Sequence, residues 1–387
     1  MLNFTFYNPC KVFFGKDTVE NLGNEAARYG KNVLVVTGGG SVKKIGLFDQ
    51  VLQQLTNAGV AYCEISGVQP NPRLSLIYEA IALCKAQKVD FILAVGGGSV
   101  IDAAKAIAAG AKYSGDVWDF YEQRAEVKEA LPLGTILTLA ATGSEMNGNS
   151  VVTNWETNQK LAIGSPYLIP KFSILDPTLT FSVSRDQTVN GIVDIMAHVF
   201  EQYFSLTPDT AIQDRLAESV LQTMIETAPV VLKKPDNYEA RASMMWCGTL
   251  ALNSLLSRGK ITDWATHSIE HEVSAIYDIP HGAGLAIIFP NWMNYVLDSG
   301  TAKFAQYAER VWKVETAGKS EREVALEGIR RTREFFNSIG APATLAFYQI
   351  GPERIPEMAQ KAVCFGPIGG YRELHQADVE QILRASL

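Results

Sequence analysis

The sequence predicts an α/β domain with a parallel sheet, followed by an all-helical domain. In the first half of the chain, short apolar runs rich in β-branched residues alternate with helical patterns, as expected for parallel strands joined by helical crossovers. After Asp176-Pro177 the strand signal stops, and apolar residues recur at helical spacing to the end of the chain. We therefore predict two domains, residues 1–180 and 181–387, with a ligand in the cleft between them.

The individual elements follow from the same patterns. The predicted strands are residues 32–37, 60–65, 91–95, 134–140 and 172–175. The predicted helices of the second domain are residues 187–206, 210–231, 238–256, 264–277, 302–312 and 321–338. A further helix begins near Ser99, which we expect to be its N-cap, with Asp102 as the capping-box partner.

Composition excludes several functional classes. Of the 387 residues, 47% are hydrophobic and only 19% are charged, against about 25% in an average protein, so disorder is excluded and a subunit interface is plausible. The net charge of −7 and the lack of a basic patch argue against nucleic-acid binding. Five scattered cysteines without a C-x-x-C pair favour the reducing cytoplasm. No apolar run suggests a signal peptide or membrane span.

Two predicted strands end in the same tetrapeptide. Gly38-Gly39-Gly40-Ser41 follows the strand at 32–37, and Gly96-Gly97-Gly98-Ser99 follows the strand at 91–95. Glycines let the backbone approach a ligand, and the helix after Ser99 offers free N–H groups to a phosphate. Neither loop has the spacing of the common nucleotide fingerprints, so two tight turns remain the alternative. A third polar loop, residues 141–147, follows the strand at 134–140.

Four of the five histidines lie in the helical half. Asp194 and His198 are four residues apart and therefore share one helix face, as do His267 and His271, and His281 begins the next helix. One carboxylate with three imidazoles suits Fe²⁺ or Zn²⁺.

The segment from His267 to His271 also matches a peptidase motif. Its sequence, H-S-I-E-H, fits the H-x-x-E-H pattern in which both histidines bind zinc and the glutamate is the base. That interpretation leaves Asp194, His198, His281 and both glycine loops without a role.

With these residues in view, the chain resembles the iron-containing (group III) alcohol dehydrogenases over essentially its whole length. It is most similar to the branch of NADPH-dependent aldehyde reductases and butanol dehydrogenases. The resemblance rests on these motifs: Gly96-Gly97-Gly98-Ser99-x-x-Asp102, residues 141–145, Asp176-Pro177, Gly191-x-x-Asp194-x-x-x-His198-x-x-Glu201, Trp264-x-x-His267-x-x-x-His271, and His281-Gly282-x-Gly284.

The resemblance implies a dehydroquinate synthase-like fold, with a Rossmann-like first domain and the active site in the cleft. It implies that Asp194, His198, His267 and His281 bind one divalent metal, Fe²⁺ or Zn²⁺. His271 would lie beside the nicotinamide without binding metal. Because reduction also needs a proton, His271 is a candidate proton relay, and a packing role is the alternative. The loop from Gly96 to Ser99 would hold the pyrophosphate near Asp102. The rest of the dinucleotide would contact Thr138, Leu139 and Thr142. Such proteins are typically homodimers paired through the N-terminal region.

The implied activity is reversible hydride transfer between NAD(P)H and a short- or medium-chain aldehyde or primary alcohol. Glycerol dehydrogenase-like oxidation and a dehydroquinate synthase-like lyase share the fold and remain alternatives, with the zinc peptidase more remote. We expect no partner beyond the substrate and a second subunit, and we expect Ser144 and Asn147 to contact the substrate.

NADP(H) is the dinucleotide expected from the first glycine loop. A carboxylate at the end of this strand would select NAD, but Gly38, Gly39, Gly40 and Ser41 stand there, and Lys43 and Lys44 follow. Backbone N–H groups, a hydroxyl and two positive charges suit a 2′-phosphate.

Overall fold

Six parallel strands form the main sheet, and two antiparallel strands form a separate hairpin. The strands are β1 (Lys11–Phe14), β2 (Asn32–Gly38), β3 (Ala61–Val68), β4 (Phe91–Gly96), β5 (Leu133–Leu137), β6 (Asn149–Asn154), β7 (Gln159–Gly164) and β8 (Phe172–Leu175). The order in the main sheet is β1-β8-β5-β4-β2-β3, and β6 pairs with β7. All neighbours in the main sheet are parallel.

The strand order changes direction between β2 and β4. The chain runs from β2 outward to β3, then returns to place β4 on the other side of β2, and continues to β5. A reversal of this kind opens a crevice at the carboxyl ends of the strands, where α/β proteins bind their ligands. The two GGGS loops follow β2 and β4 and therefore lie at this reversal.

The five predicted strands are confirmed, and three strands were not predicted. Every residue of β4 is buried, which explains why this strand has a continuous apolar sequence rather than an alternating one. β1 is a four-residue edge strand, too short for a pattern to emerge. β6 and β7 combine buried, partly buried and exposed residues without regular alternation. They flank a turn that contains Asn158, whose φ of 50° lies in the left-handed region.

Fifteen α-helices complete the fold. They are α1 (Leu22–Tyr29), α2 (Ser41–Lys44), α3 (Leu47–Asn57), α4 (Leu74–Gln87), α5 (Gly98–Ala111), α6 (Trp118–Tyr121), α7 (Arg185–Tyr203), α8 (Ala211–Lys233), α9 (Tyr238–Ala251), α10 (Ala265–Tyr277), α11 (His281–Val296), α12 (Thr301–Trp312), α13 (Glu321–Ile339), α14 (Ile355–Ala362) and α15 (Gln376–Arg384). The six helices predicted in the second half correspond to α7, α8, α9, α10, α12 and α13.

The predicted capping of α5 is wrong. The N-cap is Gly97 rather than Ser99, and no side chain caps the helix. Asp102 does not close a capping box because its carboxylate accepts hydrogen bonds from Ser144 Oγ and from the backbone N–H of Val151. The first turn of α5 therefore lies inside the glycine loop, and no capping side chain accepts a hydrogen bond from its N–H groups.

The chain divides into two units. The computed structural model describes all residues from 1 to 387. The N-terminal unit comprises Tyr7–Val183 and Pro235–Thr249, and the C-terminal unit comprises Met1–Phe6, Ser184–Lys234 and Leu250–Leu387. The division differs from a single boundary at 180/181 in two short segments, because Met1–Phe6 belongs to the C-terminal unit and Pro235–Thr249 to the N-terminal unit. Pro235–Thr249 joins the N-terminal unit, where Trp246 packs against Phe14 and Thr249 donates to Glu145. No helix has the length and apolarity needed to cross a bilayer.

Candidate active site

Three loops lie at the carboxyl ends of the adjacent strands β2, β4 and β5. The loops after β4 and β5 approach each other closely: a Cβ on Gly98 would lie 2.4 Å from Thr142 Oγ1, and one on Gly97 would lie 3.2 Å from Leu139 Cβ. The backbone N–H of Thr138 also donates to the carbonyl of Gly96. The residues expected to bind the dinucleotide are therefore neighbours, and glycine is required for the contact at position 98.

The first glycine loop leads from β2 into the short helix α2. Gly40 has a φ of 103°, a conformation that favours glycine, and it precedes Ser41 at the start of α2. Lys43 Nζ lies 2.5 Å from Glu64 Oε1 on β3, and both side chains are partly exposed. A 2′-phosphate near Lys43 would therefore compete with a carboxylate for the same ammonium group.

Ser144 and Asn147 lie in a buried network with Lys105. Lys105 Nζ donates to Ser144 Oγ, Asn147 Oδ1 and the carbonyl of Asn149 over 2.7, 3.1 and 2.7 Å. Asn147 also donates to the carbonyl of Gly143. The expectation that Ser144 and Asn147 contact substrate gains no support, because both side chains are buried and already hydrogen-bonded within the protein.

Four side chains of the C-terminal unit converge at a second centre. Asp194 and His198 lie one turn apart on α7, His267 lies on α10, and His281 is the first residue of α11. Asp194 Oδ1 lies 3.6 Å from His198 Nδ1 and 3.7 Å from His281 Nε2. Ligand atoms of Asp194, His267 and His281 lie within 4.8 Å of one another. The rings of His198 and His267 stack with centroids 4.8 Å apart.

The chemistry of this cluster fits a divalent cation. Asp194 Oδ1, His198 Nδ1 and His267 Nε2 are buried, and none has a hydrogen-bond partner within the protein. Buried polar atoms normally have partners because leaving one unpaired is unfavourable, and a cation would satisfy all three. Burial lowers the pKa of His198 to about 3, with the neighbouring His267 and His281 adding to the effect and Asp194 opposing it. The His198 imidazole is therefore neutral at pH 7, as a metal ligand must be.

Two buried glutamates orient the histidines. Glu201 Oε1 lies 2.7 Å from His267 Nδ1, and its carboxylate also accepts the backbone N–H groups of His267 and Trp264. Glu270 contacts His281 Nδ1 through one oxygen and Ser274 Oγ through the other. A carboxylate acceptor places the ring proton on Nδ1 and leaves Nε2 available for a metal.

Sequence reasoning did not assign these orienting roles. Glu201 stands three residues after His198 and Glu270 three residues after His267, so the spacing on the helices was visible. The pairing of Glu270 with His281 was not, because it depends on how α10 and α11 pack. Lys105 was also missed, although a single lysine in the otherwise alanine-rich α5 was a signal.

The position of Glu270 argues against the peptidase interpretation. That interpretation needs His267 and His271 on one metal and Glu270 free to act as a base. Glu270 is instead fully buried and bonded to His281 and Ser274. His267 turns toward Asp194, whereas His271 is half-buried with its ring centroid 5.5 Å from that of His281.

Trp264, just ahead of α10, has an unusual backbone conformation. Its φ of 69° places a bulky residue in the left-handed region. The backbone N–H donates to Glu201 Oε2 over 2.7 Å, and the indole ring packs edge-on against His267 with centroids 5.3 Å apart. The residue thus links the start of α10 to the carboxylate that orients His267.

Both parts of the chain match models of one protein family. The model described as iron-containing alcohol dehydrogenase matches residues 9–177, and the model of the C-terminal part of the same family matches residues 188–387. The chain belongs to the iron-containing alcohol dehydrogenase family. It is therefore an oxidoreductase acting on alcohols and aldehydes, with a metal and a nicotinamide cofactor, as the sequence motifs indicated.

Individual members of the iron-containing alcohol dehydrogenases resemble the chain over its full length. It is 55% identical over 387 residues to a probable NADH-dependent butanol dehydrogenase of Bacillus subtilis, covering 100% of both chains. It is 42% identical to an NADPH-dependent aldehyde reductase of Escherichia coli, covering 93% of each. The crystal structure of NADH-dependent butanol dehydrogenase A from Thermotoga maritima matches with a TM-score of 0.96 and 40% identity, covering 100% of this chain and 99% of that one.

Proposed function

We propose that this chain reversibly reduces short- and medium-chain aldehydes to primary alcohols, with NAD(P)H as the hydride donor. The observation that carries the proposal is the convergence of Asp194 with three histidines. Three atoms of this cluster, Asp194 Oδ1, His198 Nδ1 and His267 Nε2, are buried without a hydrogen-bond partner. The relatives named butanol dehydrogenase and aldehyde reductase support this substrate class. No feature of the structure favours polyol oxidation or a lyase reaction.

Asp194, His198, His267 and His281 would hold one divalent cation, Fe²⁺ or Zn²⁺. When bound, such a cation supplies Lewis-acid polarisation of a carbonyl oxygen, and the nicotinamide supplies the hydride. The protein's part is to hold the imidazoles in a fixed orientation. Glu201 and Glu270 do this for His267 and His281 through their Nδ1 atoms.

His271 would provide the proton that reduction requires. Hydride addition to the carbonyl carbon leaves a negative oxygen, which must be protonated to give the alcohol. His271 is half-buried next to His281, and imidazole side chains can accept and donate protons near neutral pH.

NADP(H) is the dinucleotide that we propose this enzyme prefers. No carboxylate stands from Gly38 to Ser41, and α2 adds Lys43 and Lys44. The ion pair between Lys43 and Glu64 is partly exposed and therefore weak enough for a phosphate to displace. The names of the relatives include both NADH and NADPH, so the preference is argued from this loop.

A cytoplasmic homodimer is the form that we propose for the active enzyme. The first residues expose large apolar side chains, Leu2, Phe4, Phe6 and Tyr7, and such patches often mark an interface. All five cysteines are free, which suits a reducing compartment. Size-exclusion chromatography with light scattering would test the dimer, and a monomer at micromolar concentration would contradict it.

The proposed reaction is tested by an aldehyde panel with NADH and NADPH after reconstitution with Fe²⁺ or Zn²⁺. We expect butanal to be converted to butanol with one dinucleotide oxidised per alcohol formed. His267→Ala, which removes a ligand, serves as the inactive control. Turnover without net dinucleotide oxidation would favour a lyase, and faster oxidation of glycerol than of butanol would favour polyol chemistry.

A further inference from the structure

Lys105 and Asp102 lie on one face of α5, the helix that begins inside the second glycine loop. They are three residues apart, and both contact the segment from Ser144 to Val151, which begins inside the third loop. Ser144 Oγ connects them, because it accepts from Lys105 Nζ and donates to Asp102 Oδ1 over 2.6 Å. The other oxygen of Asp102 accepts the N–H of Val151.

The hydrogen bonds of Lys105 are complete only when its side chain is an ammonium. An ammonium has three donors, and the structure supplies three acceptors: Ser144 Oγ, Asn147 Oδ1 and the carbonyl of Asn149. Its side chain is fully buried, so these contacts replace water entirely. A lysine so placed fixes the third loop relative to α5 more tightly than packing alone would.

The distance between α5 and the third loop determines the shape of the dinucleotide site. Gly98 and Thr142 approach so closely that even a methyl group on Gly98 would clash, and Gly97 lies against Leu139. These four residues belong to the set expected to bind the dinucleotide. A shift of the third loop would therefore change the surface that faces the cofactor.

We propose that Lys105 is a positioning residue for dinucleotide binding. Together with Asp102, and through Ser144, it would fix the position of the third loop relative to the second glycine loop. This inference rests on the proposed function, since it requires that these loops bind NAD(P)H. Lys105 itself does not touch the cofactor. Its loss should therefore weaken the binding of NADH and NADPH alike, and should leave the metal centre of the C-terminal unit intact.

The test measures the Kd for NADPH and NADH by the change in dinucleotide fluorescence, together with kcat and metal content. Lys105→Met preserves the length of the side chain and removes its donors, and we expect both Kd values to rise about tenfold. Turnover at saturating dinucleotide should stay within about threefold of the wild type. Lys260→Met is the matched control, because Lys260 is also a buried lysine, hydrogen-bonded to Asp214 and Gln202, but lies in the C-terminal unit.

If Lys105→Met does not fold, Ser144→Ala tests whether the link between Lys105 and Asp102 supports dinucleotide binding. It removes only the hydroxyl that joins Lys105 to Asp102, and we expect a smaller rise of both Kd values. Wild-type Kd values in Ser144→Ala or Lys105→Met would overturn the inference, as would an equal rise in Lys260→Met. A wild-type enzyme that binds neither dinucleotide would instead overturn the proposed function.

The pH dependence of the Kd separates this role from general support of the fold. Burial lowers the pKa of Lys105 to about 8, and the neighbouring carboxylates of Asp102 and Glu145 oppose that shift. Burial raises the pKa of Cys10 to about 12, so its thiol stays neutral in this range. Above pH 8 Lys105 loses a donor, and the wild-type Kd should rise between pH 7 and 9. In Lys105→Met the Kd should be flat, and an unchanged rise would contradict the proposal.

Discussion

At the scale of single residues, His267 and His271 share a helix and differ in their contacts. His267 Nε2 is buried without a partner and close to Asp194, whereas His271 is half-buried beside His281. We expect His267→Ala to lose metal and activity together, and His271→Ala to keep its metal but lose most turnover, with an altered pH profile. Elemental analysis and pH-rate measurements on both variants check this. Metal loss in His271→Ala would contradict the relay role.

Glu270 gives a second prediction at this scale. Glu270→Gln keeps the shape of the side chain but removes the negative charge beside His281 Nδ1. We expect metal affinity to fall about 10- to 100-fold, as is typical for the partners of metal-binding histidines. Ser274→Ala, which alters only the other oxygen of Glu270, should have a weaker effect. Competition with a chelator measures the affinity, and wild-type affinity with activity lost would point back to a catalytic base.

At the scale of elements, we expect the loop after β2 to determine which dinucleotide the enzyme prefers. A Cβ on Gly38 would meet only ordinary to slightly tight contacts, the carbonyl of Val68 at 3.4 Å and Val100 Cγ2 at 3.5 Å, so a side chain fits there. We expect Gly38→Asp to shift the ratio of kcat/KM values toward NADH at least tenfold, because its carboxylate repels a 2′-phosphate. Gly38→Asn, nearly the same size and uncharged, should shift it less. An unchanged ratio in Gly38→Asp would show that this loop does not select the dinucleotide.

The same elements show which parts of the structure a sequence can predict. The buried strands β2, β4 and β5 were predictable because their sequences are rich in apolar residues, and in β2 and β4 the apolar run ends in glycines. The start of α5 was not, because the hydroxyl of Ser99 suggested a cap while Asp102 is drawn to Ser144 and Val151 by tertiary contacts. Asp194 and His198 were found by their spacing on one helix. The contact of Glu270 with His281 joins two helices, and no spacing predicts it.

At the scale of the whole molecule, metal binding should stabilise the folded state. The cluster joins α7, α10 and α11, so a cation bound there favours the folded C-terminal unit over an unfolded chain. At 100 times its Kd, a ligand that binds only the folded state adds about 2.7 kcal/mol. We expect calorimetry to show a higher Tm with Fe²⁺ or Zn²⁺ than after chelation, and no such rise for His281→Ala. An equal rise in His281→Ala would place the stabilising metal elsewhere.

The left-handed backbone at Trp264 implies a trade-off between the stability of the folded state and catalysis. Holding a bulky residue in that conformation costs about 1–3 kcal/mol, which the surrounding contacts must offset. Glycine adopts this conformation freely, so Trp264→Gly relieves the strain but removes the indole that packs against His267. Selection for heat resistance alone would therefore favour changes here that selection for turnover would reject. Trp264 is thus a position of the C-terminal unit at which stability and activity make opposite demands on the sequence.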